Sequence, residues 1–287
     1  MPDPIETPPA VTIRPTRSWV DFDWRSLVAY RDLISLLVQR DFTARYKQTV
    51  LGPLWYILNP FITTLVFTVV FSRIMGISTD GTPPMLFYLC GMLGWSYFSN
   101  VLGATSNSLA GNAGLFSKVY FPRLVPPIAA TLSNLLALGV QLATFLVFYT
   151  QQLLSGAPDG IAAPGWRWLL FPLLAVHMAL LGLGVGLVLS TLTAKYRDLQ
   201  HIQGFLVQLW MYATPVIYPY SRIPVEWRWI AALNPMTAVI EATRWVFLGT
   251  GSVPSSTYLL SLVLTGGLLA LGLIVYQRAA RTFVDTV

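Results

Sequence analysis

The sequence contains few charged residues: Asp, Glu, Lys and Arg make up only 10% of its 287 residues. A soluble globular domain has about 25%. By contrast, 55% of the residues are hydrophobic, and the mean hydropathy is +0.61. No polar stretch is longer than the first 52 residues. The scarcity of charge therefore excludes a separate soluble domain of ordinary composition and indicates a membrane protein.

Further absences narrow the function. The chain lacks the G-x-x-x-x-G-K-[ST] motif, which excludes ATP binding through a P-loop on this chain. Its one cysteine, Cys90, cannot form an intrachain disulfide, and its apolar surroundings suit a small buried hydrophobic residue. Residues 1–25 are rich in proline, hold four acidic groups and lack an apolar centre, so no secretory signal is expected.

Six segments are long and apolar enough to cross a bilayer, whose core of about 30 Å requires roughly 20 helical residues. They are residues 54–72, 85–104, 127–149, 169–194, 201–220 and 258–277. None contains Asp, Glu, Lys or Arg, whereas a proton- or sodium-driven carrier usually needs an acidic residue there. The sequence therefore predicts an all-α, polytopic membrane protein with six transmembrane helices.

Small residues recur every four positions in the fourth segment, at Gly182, Gly186 and Ser190. This spacing either allows close approach of a neighbouring helix or is simple filler.

The region before the first span contains an amphipathic helix. Residues 1–22 hold five prolines and are expected to form a loosely attached arm. From Ser26 onward, apolar residues fall on one helical face: Leu27, Tyr30, Ile34, Leu37 and Val38. Such a helix lies in the membrane interface or docks a partner protein. Since Gly52-Pro53 marks the change to the first span, we expect a cytoplasmic arm and helix in residues 1–52 and a transmembrane domain in residues 53–287.

The distribution of positive charge predicts the orientation. With the N-terminus in the cytoplasm, 13 of the 18 Lys and Arg residues lie in cytoplasmic segments and five lie outside. The positive-inside rule then places both termini in the cytoplasm. It also accounts for the net charge of +6 without a nucleic-acid partner.

Residues 221–256 are too polar to span the membrane and too apolar for a plain loop. Two short helices, broken at Asn234-Pro235 and dipping back into the outer leaflet, fit this pattern. The alternative is an ordinary outer loop lying on the bilayer, with Trp227, Trp229 and Trp245 at the interface.

The loop of residues 105–123 places apolar side chains on the cytoplasmic side. They are Leu115, Phe116, Val119, Tyr120 and Phe121. A contiguous apolar patch usually marks a partner site. The alternative is that the loop is buried against the protein's own N-terminal helix.

Two kinds of side chain within the spans are candidates for function. His177 is a lone ionisable residue, with either a functional role or a hydrogen-bonded packing role. Aromatic residues are dense in the first, second and fifth spans, and Trp95 and Trp210 lie near mid-span, where an interfacial belt cannot explain them. They either pack in the core or form a wall along which sugar rings slide.

One enzyme signal is weak. Asp21-Phe22-Asp23 matches the D-x-D pattern of many glycosyltransferases, which use it to hold a metal and a sugar nucleotide. Fewer than 60 residues precede the membrane, too few for a nucleotide-sugar domain, and Asp23 suits a helix cap. No metal site is expected on this chain.

Several motifs, in this order along the chain, resemble the membrane subunit of ABC-2-type exporters of cell-surface polysaccharides and polyol phosphates. They are Arg40-Asp41 with Arg45-Tyr46, Leu51-Gly52-Pro53-Leu54-Trp55 through Asn59-Pro60, Lys118-Val119-Tyr120-Phe121-Pro122-Arg123, Tyr196-Arg197-Asp198, Thr214-Pro215-Val216-Ile217-Tyr218 and Leu233-Asn234-Pro235. Each motif alone is weak, but the ordered set is specific and covers nearly the whole chain.

The resemblance implies two copies of this chain in a bacterial cytoplasmic membrane, working with two copies of a separate ATPase that holds ATP and Mg. It implies an ATPase interface at Arg40, Asp41, Arg45, Leu115, Phe116, Lys118, Tyr120, Phe121 and Arg123. It also implies a channel between the two copies, for which the aromatic candidates are Tyr88, Trp95, Tyr97, Phe98, Trp210 and Tyr212. The external gate is expected at Glu226, Trp227, Asn234 and Pro235.

The expected substrate is a lipid-linked polysaccharide, with O-antigen as the first choice and capsular polysaccharide or teichoic acid as alternatives. A stand-alone flippase for lipid-linked sugars, or a membrane transferase, is the second hypothesis.

Overall fold

The structure, a computed structural model, describes residues 24–46, 52–116, 118–119, 121–156, 162–196, 198–252 and 254–283. Within these ranges every regular element is helical. The α-helices are α1 (Trp24–Ala29), α2 (Arg31–Tyr46), α3 (Trp55–Phe67), α4 (Pro84–Ser106), α5 (Ser108–Gly111), α6 (Ala113–Phe116), α7 (Val125–Leu154), α8 (Phe171–Lys195), α9 (Leu199–Ala213), α10 (Arg228–Leu233), α11 (Pro235–Leu248) and α12 (Ser255–Phe283). The predicted all-α class is confirmed.

Among the described residues, five helical segments are long and apolar enough to cross a membrane, by length and composition. They are Trp55–Ile74, Pro84–Ser106, Val125–Leu154, Trp166–Lys195 and Ser255–Ala280. The first joins α3 to a π-helical turn, and the fourth joins a short 3-10 turn to α8. Prolines at the first turns of α4, α7 and α8 suit helix starts, where the missing N–H is not needed. Five of the six predicted spans are therefore found, and the protein is a multi-pass membrane protein.

The predicted fifth span, residues 201–220, is not a full-length helix. The helix in this region, α9, has 15 residues, which at 1.5 Å per residue gives roughly 22 Å. It ends before Pro215, which cannot supply the N–H that would continue the helix. Thr214 is already extended, and the chain runs on as a buried non-helical segment, residues 214–217. The six-helix expectation is thus corrected to five long helices and one shorter helix with a non-helical continuation.

Helix α8 packs closely against α4 on one side and α12 on the other. A Cβ atom on Gly186 would lie 2.6 Å from Thr105, and one on Gly182 would lie 3.0 Å from the Phe98 carbonyl oxygen. The Ser190 hydroxyl hydrogen-bonds the backbone N–H of Leu109. Of the two alternatives for the small-residue pattern, close helix approach is therefore the one that the structure shows.

The segment before the last span forms two helices, α10 and α11, broken at Asn234 as predicted. Asn234 caps α11, because its side-chain oxygen accepts from the N–H of Met236, and Gly249 ends α11 in the left-handed conformation with φ of 74°. Helix α11 is buried along nearly its whole length among α4, α8 and α12. The break lies beside Trp210, whose ring contacts Trp95 midway along α4. We call α10 and α11 the outer hairpin.

The N-terminal helix α2 packs against the loop that follows α4 and against the start of α7. Leu27 and Leu37 are buried in a cluster with Leu109, Phe116 and Phe121. The predicted apolar face is thus the packing face of the helix.

Candidate functional site

A polar groove of ≈ 430 Å³ lies between α3, α4 and α9. The polar side chains that line it include Asn59, Thr63, Ser96, Ser99, Asn100, Gln141 and Gln208. Ser96, Ser99 and Asn100 share one face of α4, since residues three and four apart are helical neighbours. Polar groups inside a membrane are costly against lipid and usually face a water-filled path or another helix. The groove therefore suits a polar ligand.

The six predicted channel aromatics lie in three environments: beside the groove, in the buried core and on the exposed surface of α9. Trp95 lines the groove, and its ring contacts Phe98 and Trp210 with centroid distances of 5.4 and 6.4 Å. Phe98 itself is buried, and Trp210 is partly buried against the same core. The structure thus brings these three rings together on one side of the groove.

The other three channel candidates lie elsewhere. Tyr88 and Tyr97 are buried in the core, whereas Tyr212 on α9 is exposed. Tyr88 contacts the rings of Phe67 and Phe87 rather than the groove.

Asn234 joins the groove-lining helix α9 to the outer hairpin. Its side-chain oxygen accepts from the indole N–H of Trp210 at 3.0 Å and from the backbone N–H of Met236 at 3.1 Å. Its amide donates to the Thr214 hydroxyl at 2.9 Å. Pro235 is buried, and its carbonyl accepts from Ser261 at 2.8 Å.

The other two predicted gate residues, Glu226 and Trp227, are exposed in a short 3-10 turn before the hairpin. Only Asn234 and Pro235 of the predicted gate set therefore lie inside the protein.

A buried ion pair fixes the outer hairpin to the rest of the protein. Glu241 and Arg244 lie one turn apart on α11, are 3% and 1% exposed, and approach to 2.6 Å. Arg244 also donates to the carbonyl oxygens of Pro215 and Val216 and lies 3.7 Å over the Phe87 ring. A non-helical segment within a membrane protein leaves carbonyl groups without partners. Arg244 supplies two of the donors that this segment lacks.

The ATPase-interface candidates divide into exposed and buried residues. Arg40 and Asp41 form an ion pair of 2.8 Å on α2, and Lys118 is exposed. Phe116 and Phe121 are buried, with the Arg123 guanidinium 4.8 Å above the Phe116 ring.

Phe116 and Phe121 are therefore buried against the N-terminal helix, which was the alternative to an exposed partner site. Leu115 is half-buried beside them. Val119 remains exposed. Tyr120 and the Arg45 side chain lie outside the described residues.

His177 on α8 has hydrogen-bond partners on α12, which agrees with the hydrogen-bonded packing role. Its Nε2 lies 2.9 Å from the Thr265 hydroxyl and 3.3 Å from the Ser261 hydroxyl, and its Nδ1 lies 3.5 Å from the Tyr258 hydroxyl, all three on α12. Hydroxyl groups on the neighbouring helix thus surround the imidazole. Among the described residues, no group of three His, Cys, Asp or Glu side chains could hold a metal ion. The Asp21-Phe22-Asp23 motif lies outside them.

The sequence analysis missed Glu241 and Arg244 as a structural unit and counted Arg244 with the outside loops. Spacing could have revealed them. An acidic and a basic residue three positions apart, in an otherwise apolar amphipathic run, form a helical ion pair. Their burial could not be foreseen without knowing that α11 inserts among three other helices.

Comparison with known proteins agrees with these features. The sequence model of the ABC-2 type transporter family matches residues 32–248. The "O-antigen export system permease protein RfbA" of Myxococcus xanthus is 33% identical over 225 residues, covering 78% of this chain and 83% of that protein. A protein of the same name from Klebsiella pneumoniae is 28% identical over 256 residues, covering 88% and 94%. The "Polysialic acid transport protein KpsM" of Escherichia coli is 23% identical over 212 residues, covering 74% and 79%.

Proposed function

The chain belongs to the ABC-2 type transporter family, and on that premise we propose that it exports a lipid-linked cell-surface polysaccharide, with O-antigen as the first choice. It is the permease subunit of an exporter and not an enzyme. Relatives named for O-antigen export are more similar to it than the relative named for polysialic acid transport. O-antigen therefore precedes capsular polysaccharide and teichoic acid.

The polar groove is the observation that carries this proposal. It offers amide and hydroxyl groups beside the exposed ring of Trp55 and the edge of Trp95, which is 4% exposed, and none of its lining residues is Asp, Glu, Lys or Arg. Sugar hydroxyls hydrogen-bond with such neutral groups, and sugar rings stack on aromatic faces. Neither contact requires a particular sugar. A surface of this kind suits a long chain that must slide rather than bind tightly.

A second copy of the chain would complete the path. Helices α3 and α9 flank the groove and expose large side chains away from it, among them Ile62, Phe205 and Tyr212. Two such faces brought together would enclose two grooves in one channel. Trp95 and the rings behind it would then form part of the channel wall.

An ABC permease works with an ATPase subunit, and we place that partner at the end of the molecule that holds α2. Two ATPase copies would bind ATP and Mg there, with none bound by this chain. The exposed face of α2 includes Leu36, Gln39, Arg40 and Thr43. Together with Lys118 and Val119, these residues provide a charged and apolar surface for docking.

We place this end in the cytoplasm of a bacterial cell and the chain in its cytoplasmic membrane. The 13-to-five distribution of Lys and Arg supports that orientation, with both termini inside. Residues 1–52 then act as the cytoplasmic arm and docking helix, and residues 53–287 as the membrane domain. Because α2 packs onto α7, the two parts form one folded unit.

Changing the polar groups of the groove tests this function. We expect Asn100→Leu and Gln208→Leu to reduce surface glycan while the complex with the ATPase still assembles, because both side chains face the groove. Thr150→Leu, on the exposed end of α7, is the control and should have no effect. Surface glycan and purified complex are measured separately. Normal export by both groove variants would contradict the proposal.

The substrate is identified directly from the purified complex. Mass spectrometry of glycolipids that copurify with the permease and its ATPase should yield lipid-linked O-antigen. Recovery of a capsular or teichoic acid precursor would replace the first choice and leave the export function in place.

A further inference from the structure

A second groove, apolar and of ≈ 570 Å³, lies between α8, α11 and α12. Its apolar lining includes Leu170, Leu173, Leu174, Ala242, Val246 and Leu259. It is separate from the polar groove, because α8 packs between α12 and α4. A volume of this size is typical of pockets that bind small molecules or cofactors.

The surface around this groove is suited to lipid. Leu259 is 62% exposed at its edge, and Val263, one turn further along α12, is 70% exposed. Leu173 on α8 is also exposed. In a multi-pass membrane protein, large apolar side chains on the outer face of a long helix contact hydrocarbon chains. The groove therefore opens towards the lipid tails.

A positive charge, that of Arg167, lies three residues before the groove-lining Leu170 and among tryptophan rings. The Arg167 guanidinium lies 5.4 Å over the ring of Trp245, which lines the groove, and Trp166 packs against Trp245 at 6.3 Å. Within the part of the chain that the structure describes, Arg167 forms no ion pair. Tryptophan and arginine at a helix end are typical of the membrane interface, where lipid phosphates lie.

The floor of the groove contains a carboxylate that already has an ion-pair partner and hydrogen-bond donors. Glu241 lines the groove, but its oxygens accept from Arg244 at 2.6 Å and from the backbone N–H groups of Tyr220 and Ser252 at 3.4 Å. A neutralised floor below apolar walls favours a hydrocarbon chain over a cationic or polar ligand.

We propose that this groove binds a membrane phospholipid, with one acyl chain between α8 and α12 and the phosphate at Arg167. The apolar walls, the lipid-facing opening and the cation at the interface each match one part of such a molecule. The site does not depend on which glycan the exporter moves. A phospholipid from the leaflet at the Arg167 end is then a structural ligand of the permease, bound beside the outer hairpin.

Photolabelling tests the site. The permease–ATPase complex is reconstituted in phosphatidylethanolamine nanodiscs that contain phosphatidylglycerol with a diazirine in its acyl chain, and labelled peptides are mapped by mass spectrometry. We expect labels near Leu173 and Leu259. Arg167→Gln should lower this labelling about fivefold, the effect of one cation at a membrane surface. Leu259→Trp should also lower it, because the larger ring fills the mouth of the groove.

Two matched variants serve as controls. Arg73→Gln removes an exposed arginine at the same end, and Val263→Trp places the same ring outside the groove. Both should label like the unmodified complex. Unchanged labelling in Arg167→Gln and Leu259→Trp would overturn the proposal. So would displacement of the label by added isoprenyl phosphate but not by unlabelled phosphatidylglycerol, since the groove would then bind the carrier lipid.

Discussion

Arg244 connects two segments that are 28 residues apart in the sequence. Its guanidinium donates to the carbonyls of Pro215 and Val216 and to the carboxylate of Glu241. Arginine suits this position because its planar group presents several donors in fixed directions. A lysine ammonium has no such fixed fork.

We expect Arg244→Met to destabilise the subunit by roughly 3–5 kcal/mol, because it leaves Glu241 buried without its charged partner. The two carbonyls also lose their donors. Thermal unfolding of the purified complex measures the loss. Arg228→Met is the control, since Arg228 is half-exposed and donates to loop carbonyls at the same end. Equal stability of the two variants would show that the buried pair does not fix the hairpin.

At the scale of single residues, the sequence shows the chemical type of a side chain but not the environment in which the side chain lies. Trp95 and Tyr97 are both aromatic residues near mid-span, yet only Trp95 lines the polar groove. For Phe116 the sequence left open an exposed partner site or burial against the N-terminal helix, and the structure shows burial. Which face of a helix is covered depends on partners distant in the sequence, and an apolar run without charges does not distinguish its faces.

Among the helices, α8 and α12 approach most closely at two glycines. A Cβ atom on Gly184 would lie 2.8 Å from the backbone nitrogen of Leu269, and one on Gly272 would collide with the carbonyl oxygen of Gly184. Backbone atoms cannot move aside as a flexible side chain can. The contact therefore requires glycine at both positions.

We expect Gly184→Ala to cost roughly 1–3 kcal/mol, as overpacking does in a well-packed core. Gly266→Ala on α12 is the matched control, because a Cβ atom there meets nothing within 4 Å. The fraction of monodisperse protein after heating, measured by size-exclusion chromatography, gives the comparison. The close contact would be refuted by a Gly184→Ala protein as stable as its control.

The exposed surface of α2 leads to a second prediction at the scale of helices. Leu36 on α2 and Val119 after α6 are 60% and 54% exposed. We expect Leu36→Asp and Val119→Asp to weaken copurification of the ATPase, since burying an unpaired carboxylate in an interface is costly. Leu154→Asp makes the same change on an exposed residue at the other end of α7 and should leave copurification normal. Full ATPase recovery with both variants would move the docking surface elsewhere.

Element types and most boundaries follow from the sequence, because length, absence of charge and proline positions determine them locally. The end of α9 is the exception. The predicted span of residues 201–220 runs across Pro215, but the helix stops before it and Arg244 donates to the freed carbonyls. That arrangement depends on a residue 29 positions away, so local sequence could not show it.

For the whole molecule, the two clusters of buried side chains define two ends. One contains α2, the loop after α4 and the end of α12, and the other contains the outer hairpin. From the positive-inside rule we predict that the first end lies in the cytoplasm.

Cysteine labelling of whole cells tests that assignment. In a Cys90→Ala background, an impermeant thiol reagent should label Ser155→Cys and Ser252→Cys but not Gln39→Cys or Lys118→Cys. All four positions are exposed in the subunit, and cells that lack the ATPase leave the proposed docking surface free, so access depends on the side of the membrane alone. Permeabilised cells, in which all four should react, provide the control. Labelling of Gln39→Cys in intact cells would invert the topology.

The side-chain oxygen of Asn234 accepts one hydrogen bond from Trp210 on the groove helix α9 and one from Met236 in the first turn of α11. A polymer that displaces α9 must either break the bond from Trp210 or carry the hairpin with it. If the bond holds, passage along the groove and release at the far end take place in a single step. The exit then opens only while the exported chain occupies the path. This timing limits the leakage of small ions across the membrane.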